Sequence, residues 1–335
     1  MPKILVTGGL GGIGAYLAER ALEEGYKVKI LDIENKRTKN RAKSPKLKDA
    51  EIVYGNIIDY GDCLKCIWDV DTVCHLAAIL HPKTEEVPDL AEKVNVGGTV
   101  NIIKAIQTLN PDIHLIFSSS VSVFGHTQDR TPPLTIDDPV NPTDVYTRSK
   151  VKCEDLIENS GLKYWTILRF AEAAYLSIRM EDYKQMYMLP LDNRLEFVHV
   201  FDIVTACMNA IRNEECYGKK FIIAGGKKNQ MVWREQLVKL MKALGMPIPP
   251  EEYFSKEPFY LDWYDTEESQ RILQFQERSF DDFVEDFKNL MGFRLGLVKY
   301  MFGPMMKVYR WGERAWKKLP KWSFRRKKKD KESEK

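Results

Sequence analysis

Long apolar runs are what this chain most clearly lacks. No stretch approaches the ~20 consecutive apolar residues that a membrane-spanning helix needs. Met1 runs straight into a short strand-like segment, so no secretory leader is expected. Cysteine is sparse as well. The six thiols (Cys63, Cys66, Cys74, Cys153, Cys207, Cys216) have no disulfide-scaffold spacing in 335 residues. That excludes a stapled extracellular module and points to a reducing cytoplasm. Cys63 and Cys66 form a CxxC without a second pair, which reads as two neighbours on a helix, and no metal site is expected. Strong charge of one sign is also missing, since the formal net charge is only +3. The balance is uneven along the chain. From Leu290 to Lys335, 15 Lys and Arg stand against 4 Asp and Glu, a local balance of +11 that leaves the rest at −8. An acidic body without a recognition module excludes nucleic acid as the partner.

What is present is a glycine-rich turn at the start. Thr7 to Gly14 reads TGGLGGIG, between the apolar run Ile4–Val6 and a helical pattern beginning near Ala15. A strand feeding a helix through glycines leaves backbone N–H groups free at the helix N-terminus, where they and the helix dipole hold a pyrophosphate. In this reading Gly9 allows the tight turn, Gly11 lets backbone approach phosphate, and Gly14 lets the helix pack on the strand. A second strand, Val28–Leu31, ends in Asp32, an acid placed to bond ribose hydroxyls. The pattern is that of a dinucleotide site, and the acid favours NAD over NADP.

Strand-like and helical segments then alternate. Ile4–Val6, Val28–Leu31, Ile52–Tyr54, Thr72–Leu76, Leu115–Ser118 and Trp165–Leu168 read as strands. Ala15–Glu24, Tyr60–Ile67, Val94–Thr108 and Val145–Asn159 read as helices. This alternation predicts an α/β fold, a Rossmann-type doubly wound parallel sheet with helices on both faces. Asp144 is placed to cap the fourth helix, and Gly161 sits where a helix end wants a left-handed residue.

Tyr146 and Lys150 stand four apart on that helix, about one turn, so they share a face. A free phenol titrates near 10 and is a poor base at neutral pH, whereas a neighbouring ammonium favours the phenolate. Such a pair exchanges a proton with a substrate oxygen. The run SSSVSVFG, Ser118 to Gly125, supplies hydroxyls at a strand end to orient that oxygen.

At this point the chain resembles the extended short-chain dehydrogenase/reductases, the NAD-dependent epimerase/dehydratase family. The resemblance is carried by TGGLGGIG at Thr7, LDI ending with Asp32, GNIID at Gly55, HLAA at His75, NVGGT at Asn95, SSSVSVFG at Ser118, YTRSK at Tyr146, FVHVFDI at Phe197 and DTEESQRILQF at Asp265. It implies that Tyr146 is the general acid/base, that Lys150 tunes it and holds the nicotinamide ribose, and that Ser120 is the catalytic hydroxyl. It implies NAD contacts at Gly8, Gly11, Gly12, Ile13 and Gly14, at Asp32, at Asn56 and Ile57 beside adenine, and at Ala77, Ala78 and Asn95. His81 and Ser122 are the candidates for facing substrate. His75, His199 and Asp202 read as structural, and Ser118 and Ser119 as partners for backbone groups.

The resemblance also implies a catalytic domain over residues 1–289, with the NAD-binding core at about 1–170 and the substrate lobe at 171–196 and 226–289. It implies a homodimer through the helices Asn95–Thr108 and Tyr146–Asn159, where Ile103, Ile106, Leu156 and Ile157 are available for seam or core. Beyond it, residues 290–320 pattern as a basic amphipathic helical extension and 321–335 as a basic disordered tail. Together these suit the surface of an anionic membrane, giving a cytoplasmic protein with peripheral membrane contact. The expected activity is oxidation of a secondary alcohol, with a nucleotide-sugar as first choice of substrate. The alternatives are a lipophilic, sterol-like or lipid-linked alcohol, and a non-catalytic NAD-binding regulator. Three departures count against the nucleotide-sugar. The family's usual Asp is Asn56, its RPxNVYGP is here LRFAEAAYLS (Leu168 to Ser177) without the asparagine, and Tyr253–Tyr264 contains no arginine.

Overall fold

A computed structural model of the chain describes residues 2–174, 186–290 and 292. The expectations for residues 175–185 of the substrate lobe, and for the extension and tail from 293 onward, lie outside the described residues.

Each βαβ unit foreseen in the sequence forms. Strands β1 (Lys3–Thr7), β2 (Lys27–Asp32), β3 (Glu51–Tyr54), β4 (Thr72–His75), β5 (His114–Ser120) and β6 (Trp165–Phe170) are all parallel. The crossovers run through α1 (Gly12–Glu23), α2 (Lys36–Arg41), α3 (Tyr60–Ile67), the short α4 (Lys83–Glu86) and α5 (Pro88–Ala91), α6 (Gly98–Leu109) and α7 (Val145–Glu158). All four strands after β6 escape the sequence reading, and two of them are only three residues long. One is β7 (Glu172–Ala174); the other is β10 (Gln230–Val232). Both pair with β8 (Arg194–His199) in a separate three-stranded sheet, while β9 (Lys219–Ile223) completes the main one. The main sheet has seven strands in the order β3-β2-β1-β4-β5-β6-β9.

The pleat explains the apolar runs of the strands. Ile4, Val6 and Ile30 point to one face, where they pack with Leu17, Ala18 and the helix Val200–Ala210. Leu5 and Leu31 point to the other, where they meet Ile67, Ile102, Ile106, Cys153 and Ile157 from α3, α6 and α7. Both faces are covered, so the strands carry no polar alternation. The two cysteines of the CxxC lie buried in that second core, on α3. The order reverses between β1 and β4, and the crevice outside the carboxyl ends of the strands at such a switch point is where α/β sheets bind ligands. No helix among the described residues is long and apolar enough to cross a membrane.

Candidate active site

The glycine turn, Asp32, Gly55–Ile57, His75–Ala78 and the serine run all stand at the carboxyl ends of β1 to β5. After β1 the chain turns at Gly8, whose φ is +68°. The residue with positive φ is thus Gly8, whereas the spacing gave the tight-turn role to Gly9. Gly9 is small for another reason: a Cβ there would lie 2.8 Å from Ile30 Cγ2 and 2.9 Å from the Val6 carbonyl oxygen. A Cβ on Gly14 would lie 2.3 Å from the Gly8 carbonyl oxygen, a backbone atom that cannot move aside. On Gly11 it would lie 2.9 Å from that same oxygen. Gly11 is also the N-cap of α1; it offers no side-chain cap, and the first turn contains no acid. Gly11 N–H is taken by the Gly8 carbonyl at 2.9 Å, so the N–H groups of Gly12 and Ile13, at the positive end of the helix, are the ones that suit a pyrophosphate.

Asp32 closes the far side of this loop. Its Oδ2 accepts from Leu10 N–H at 2.9 Å and its Oδ1 from Ile33 N–H at 2.8 Å. Burial raises its pKa, against the pull of those two amides and of Arg37. A carboxylate held by two backbone amides at the end of β2 is placed to accept from ribose hydroxyls. After β3, Asn56 N–H is anchored on Asp62 Oδ2 at 2.8 Å, and Ile57 is buried with its carbonyl bonded to Asn101 Nδ2 at 2.9 Å. Ala77 N–H bonds Thr7 Oγ1 at 3.2 Å, and Ala77 Cα would lie 2.9 Å from a Cβ on Gly8, so the loop Ala77–Ala78 lies directly against the glycine turn.

Asn95 has a different place from the one foreseen for it. It is buried, and its side chain clamps the backbone of Ile79, accepting from the N–H at 2.8 Å and donating to the C=O at 3.0 Å. A second donation reaches Ser149 Oγ at 3.1 Å. Both amide hydrogens are thus committed to joining the loop after β4 to α7. Asn95 positions the site and does not offer those donors to a cofactor. It sits in a stretch of π helix, Glu92–Gly97, that opens the backbone just before α6.

The candidate catalytic residues stand at the end of β5 and in the first turns of α7. Asp144 caps α7 through Thr147 N–H at 2.7 Å, with Thr147 returning the bond in a capping box. Tyr146 follows, half-buried, in the first turn. Lys150 is buried one turn on, with Nζ 5.7 Å from the Tyr146 ring centroid and 4.6 Å from that of Phe117. Its ammonium donates to the Ser118 carbonyl at 2.6 Å. Burial brings its pKa down to about 8, against the opposing influence of Cys153 and Glu154. Ser120 ends β5 and shares a hydrogen bond with Ser122, Oγ to Oγ at 2.8 Å. His75 takes no exposed position. Its two ring nitrogens bond Thr7 Oγ1 at 2.7 Å and Thr99 Oγ1 at 3.0 Å, and burial, then Lys150, lowers its pKa to about 3.

A further wall was not legible as such. His81 Nδ1 lies 3.7 Å from Asp144 Oδ2, and the His81 ring packs edge-on against Tyr260 at 6.2 Å. Neither His81 ring nitrogen has a hydrogen-bond partner. Burial raises the Tyr260 pKa, helped by the carboxyls of Asp144, Glu172 and Glu85. Ligating atoms of His81, Glu85 and Asp144 lie within 4.8 Å of one another. Both carboxylates are already at work there: Asp144 caps α7, and Glu85 Oε1 accepts from Val145 N–H at 2.9 Å. Glu172 opens β7 with Oε2 shut off from solvent and without a hydrogen-bond partner, and burial pushes its pKa up to about 7. Its only trace in the sequence is the broken RPxNVYGP pattern.

Comparison with known proteins agrees with this geometry. The family model described as "NAD dependent epimerase/dehydratase family" matches residues 4–224. The chain is 33% identical over 166 residues to a 3 beta-hydroxysteroid dehydrogenase/Delta 5-->4-isomerase of Mycobacterium tuberculosis, covering 46% of this chain and 42% of that protein. It is 32% identical over 179 residues to a UDP-glucose 4-epimerase of Lactobacillus helveticus, covering 51% and 52%. The chain thus spans about half the length of these curated relatives. Among solved structures it resembles a mutant UDP-glucuronic acid 4-epimerase from Bacillus cereus, in complex with UDP-4-deoxy-4-fluoro-glucuronic acid and NAD. The TM-score is 0.74 and the identity 21%, over 86% of this chain and 98% of that one. The family match spans the glycine turn, Asp32, Ser120, Tyr146 and Lys150. The chain belongs to the NAD dependent epimerase/dehydratase family, an enzyme family of Rossmann fold whose cofactor is NAD.

Proposed function

We propose that the protein oxidises a secondary alcohol at Tyr146, transiently or as a net reaction, with a nucleotide-sugar as substrate. The carrying observation is that Lys150 Nζ lies 5.7 Å from the Tyr146 ring centroid while donating to the Ser118 carbonyl, two residues before Ser120, in a chain whose glycine turn feeds a helix N-terminus without a side-chain cap. The residues fit the cofactor. The first turn of α1 would take the pyrophosphate, Asp32 the adenosine ribose, and Lys150 the nicotinamide ribose. NAD bound there supplies the acceptor for the hydride. Tyr146 takes the hydroxyl proton, and returns it in the reverse direction. The ammonium of Lys150 favours the phenolate form of Tyr146 through space, and its anchoring on Ser118 fixes its place. Ser120 and Ser122 share one hydroxyl-to-hydroxyl bond, which leaves donor and acceptor capacity to orient the substrate oxygen.

The sugar reading draws on the relatives' names, and one relative, the hydroxysteroid dehydrogenase, favours a second reading as a lipophilic-alcohol dehydrogenase. A panel separates them. The NAD-loaded protein is incubated with UDP-sugars and with 3β-hydroxysteroids, following NADH absorbance and sugar products by NMR. Epimerised or dehydrated sugar supports the first reading. Net NADH formation with steroid alone overturns it.

Assembly is a second proposal. Of the four apolar residues considered for the helix seam, Ile106 and Ile157 are wholly committed to the core. Ile103, also buried in that core, and the half-buried Leu156 line a groove between α6 and α7 with Val100 and Gln107. A dimer through α6 and α7 would cover that groove. Light scattering at micromolar concentration should give twice the chain mass, 38.9 kDa, and Leu156→Glu should halve it.

A further inference from the structure

Strand β7 opens with a carboxyl that the catalytic set does not use. Strands β5 and β6 run in register with Ser120 opposite Phe170. Glu172 is two residues past Phe170, so it stands at the same end of the sheet as the Ser120 hydroxyl. The next pairing, Glu172 opposite Phe197, fixes it on β7 beside β8. Two aromatics connect it electrostatically with the α7 side: the carboxyls of Asp144, Glu172 and Glu85 all act on Tyr260, and those of Asp262, Glu196 and Glu172 on Tyr264. Asp144 is the cap of the helix that presents Tyr146. Tyr264 stacks on Phe124, which ends the turn begun at Ser120, with ring centroids 6.3 Å apart.

We propose that Glu172 sets the charge class of the sugar this cleft accepts, taking an uncharged, hydroxyl-bearing ring and refusing one that carries a carboxylate. The inference rests on the nucleotide-sugar reading above and deepens it. Glu172 Oε2 is closed to solvent and lacks a partner. An ionised carboxylate can only accept hydrogen bonds. A sugar hydroxyl donating to it would satisfy a buried acceptor that is otherwise costly to leave bare. The His81 ring nitrogens, likewise unpartnered, offer one donor and one acceptor to a neighbouring hydroxyl when the ring is neutral. A carboxylate on the ligand would instead meet Glu172, with Asp144 and Glu85 of the same sign on the same wall. Selectivity built from repulsion and from a buried group left unpaired is stronger than selectivity built from shape. Burial pushes the Glu172 pKa up to about 7, so the carboxylate that repels a second negative charge is the form present above that pH.

The test uses the full-length, NAD-loaded protein and two probes, UDP-glucose and UDP-glucuronate. They differ only in a hydroxymethyl against a carboxylate on the ring. Affinities are measured by calorimetry at pH 8.5, where Glu172 is ionised. The wild type is expected to bind UDP-glucose at least tenfold more tightly. Glu172→Gln keeps the shape and removes the charge; it should shrink that ratio at least fivefold, mainly by tighter UDP-glucuronate binding. Glu172→Asn serves the same purpose if the Gln variant fails to fold. Equal affinities in the wild type, or an unchanged ratio in the folded variant, overturn the proposal while leaving the nucleotide-sugar reading intact. Binding of neither probe overturns that reading and the proposal with it.

Discussion

Lys150 shows what burying an ammonium costs the fold. Its ammonium is buried, and its pKa falls from 10.5 to about 8. The folded pKa is thus below the unfolded one, so between pH 8 and 10.5 the unfolded chain holds more protons. Stability contributed by this residue therefore rises with pH through that window and is lowest below pH 8. Lys150→Met removes the buried charge while keeping a long apolar stem. In the cofactor-free protein at pH 7 it should raise unfolding stability by about 1–3 kcal/mol, an order-of-magnitude figure, measured by denaturant titration, while turnover collapses. A loss of stability would mean that the Ser118 anchor outweighs the desolvation. Tyr146, Lys150 and Ser120 were legible in the sequence because a helix converts a spacing of four into a shared face. Glu172 and Tyr260 were not, because 88 residues of chain separate them and only long-range contacts, the pairing of β7 with β8 and the bridge of Leu134 with Tyr264, set their segments in place.

The element that most directly tests the cofactor site is the turn between β1 and α1. Its glycines differ in what constrains them. At Gly14 the obstacle is the Gly8 carbonyl at 2.3 Å, while at Gly98 it is the Ile57 side chain at 2.4 Å. Backbone cannot yield as a side-chain tip can. Gly14→Ala should therefore cost a few kcal/mol of stability by overpacking and weaken NAD binding at least tenfold, read by thermal melts with and without NAD. Gly98→Ala should be absorbed with a milder loss and near-normal NAD affinity. Unimpaired NAD binding in Gly14→Ala would contradict the assignment of the turn. The sequence located this turn but gave the tight-turn role to Gly9, whereas the residue with positive φ is Gly8. The φ of Gly8 is fixed by its close approach to Ala77, a contact between two loops that no local pattern encodes. The first six strands were legible because strands buried on both faces are continuously apolar. The three-residue strands β7 and β10 are too short to carry a period.

At the scale of the molecule, three buried histidines make the fold sensitive to acid. Burial lowers the pKa of His75 to about 3, and of His114 and His199 to about 4. Each folded value is below the unfolded 6.5, so the stability they contribute is present above pH 6.5 and is lost as pH falls toward the folded values. The slope approaches about 1.4 kcal/mol per pH unit for each histidine. Denaturant midpoints at pH 7, 5.5 and 4.5 should fall accordingly, and His114→Gln should flatten the decline. A midpoint unchanged at pH 4.5 would contradict neutral burial. The fold class of the whole molecule was legible from the alternation of strand and helix, and the substrate was not, because the lobe that recognises it is built from short, irregular pieces.

The most direct measurement is a single-turnover comparison of wild type and Tyr146→Phe. Each NAD-loaded protein is mixed with the nucleotide-sugar that the panel selects, and NADH is followed at its absorbance band. Phenylalanine keeps the ring and removes the exchangeable proton. The variant should retain NAD and form NADH about a hundredfold or more slowly, the contribution of a positioned acid/base. A variant that forms NADH at the wild-type rate would show that the proton leaves by another route and that Tyr146 is not the base.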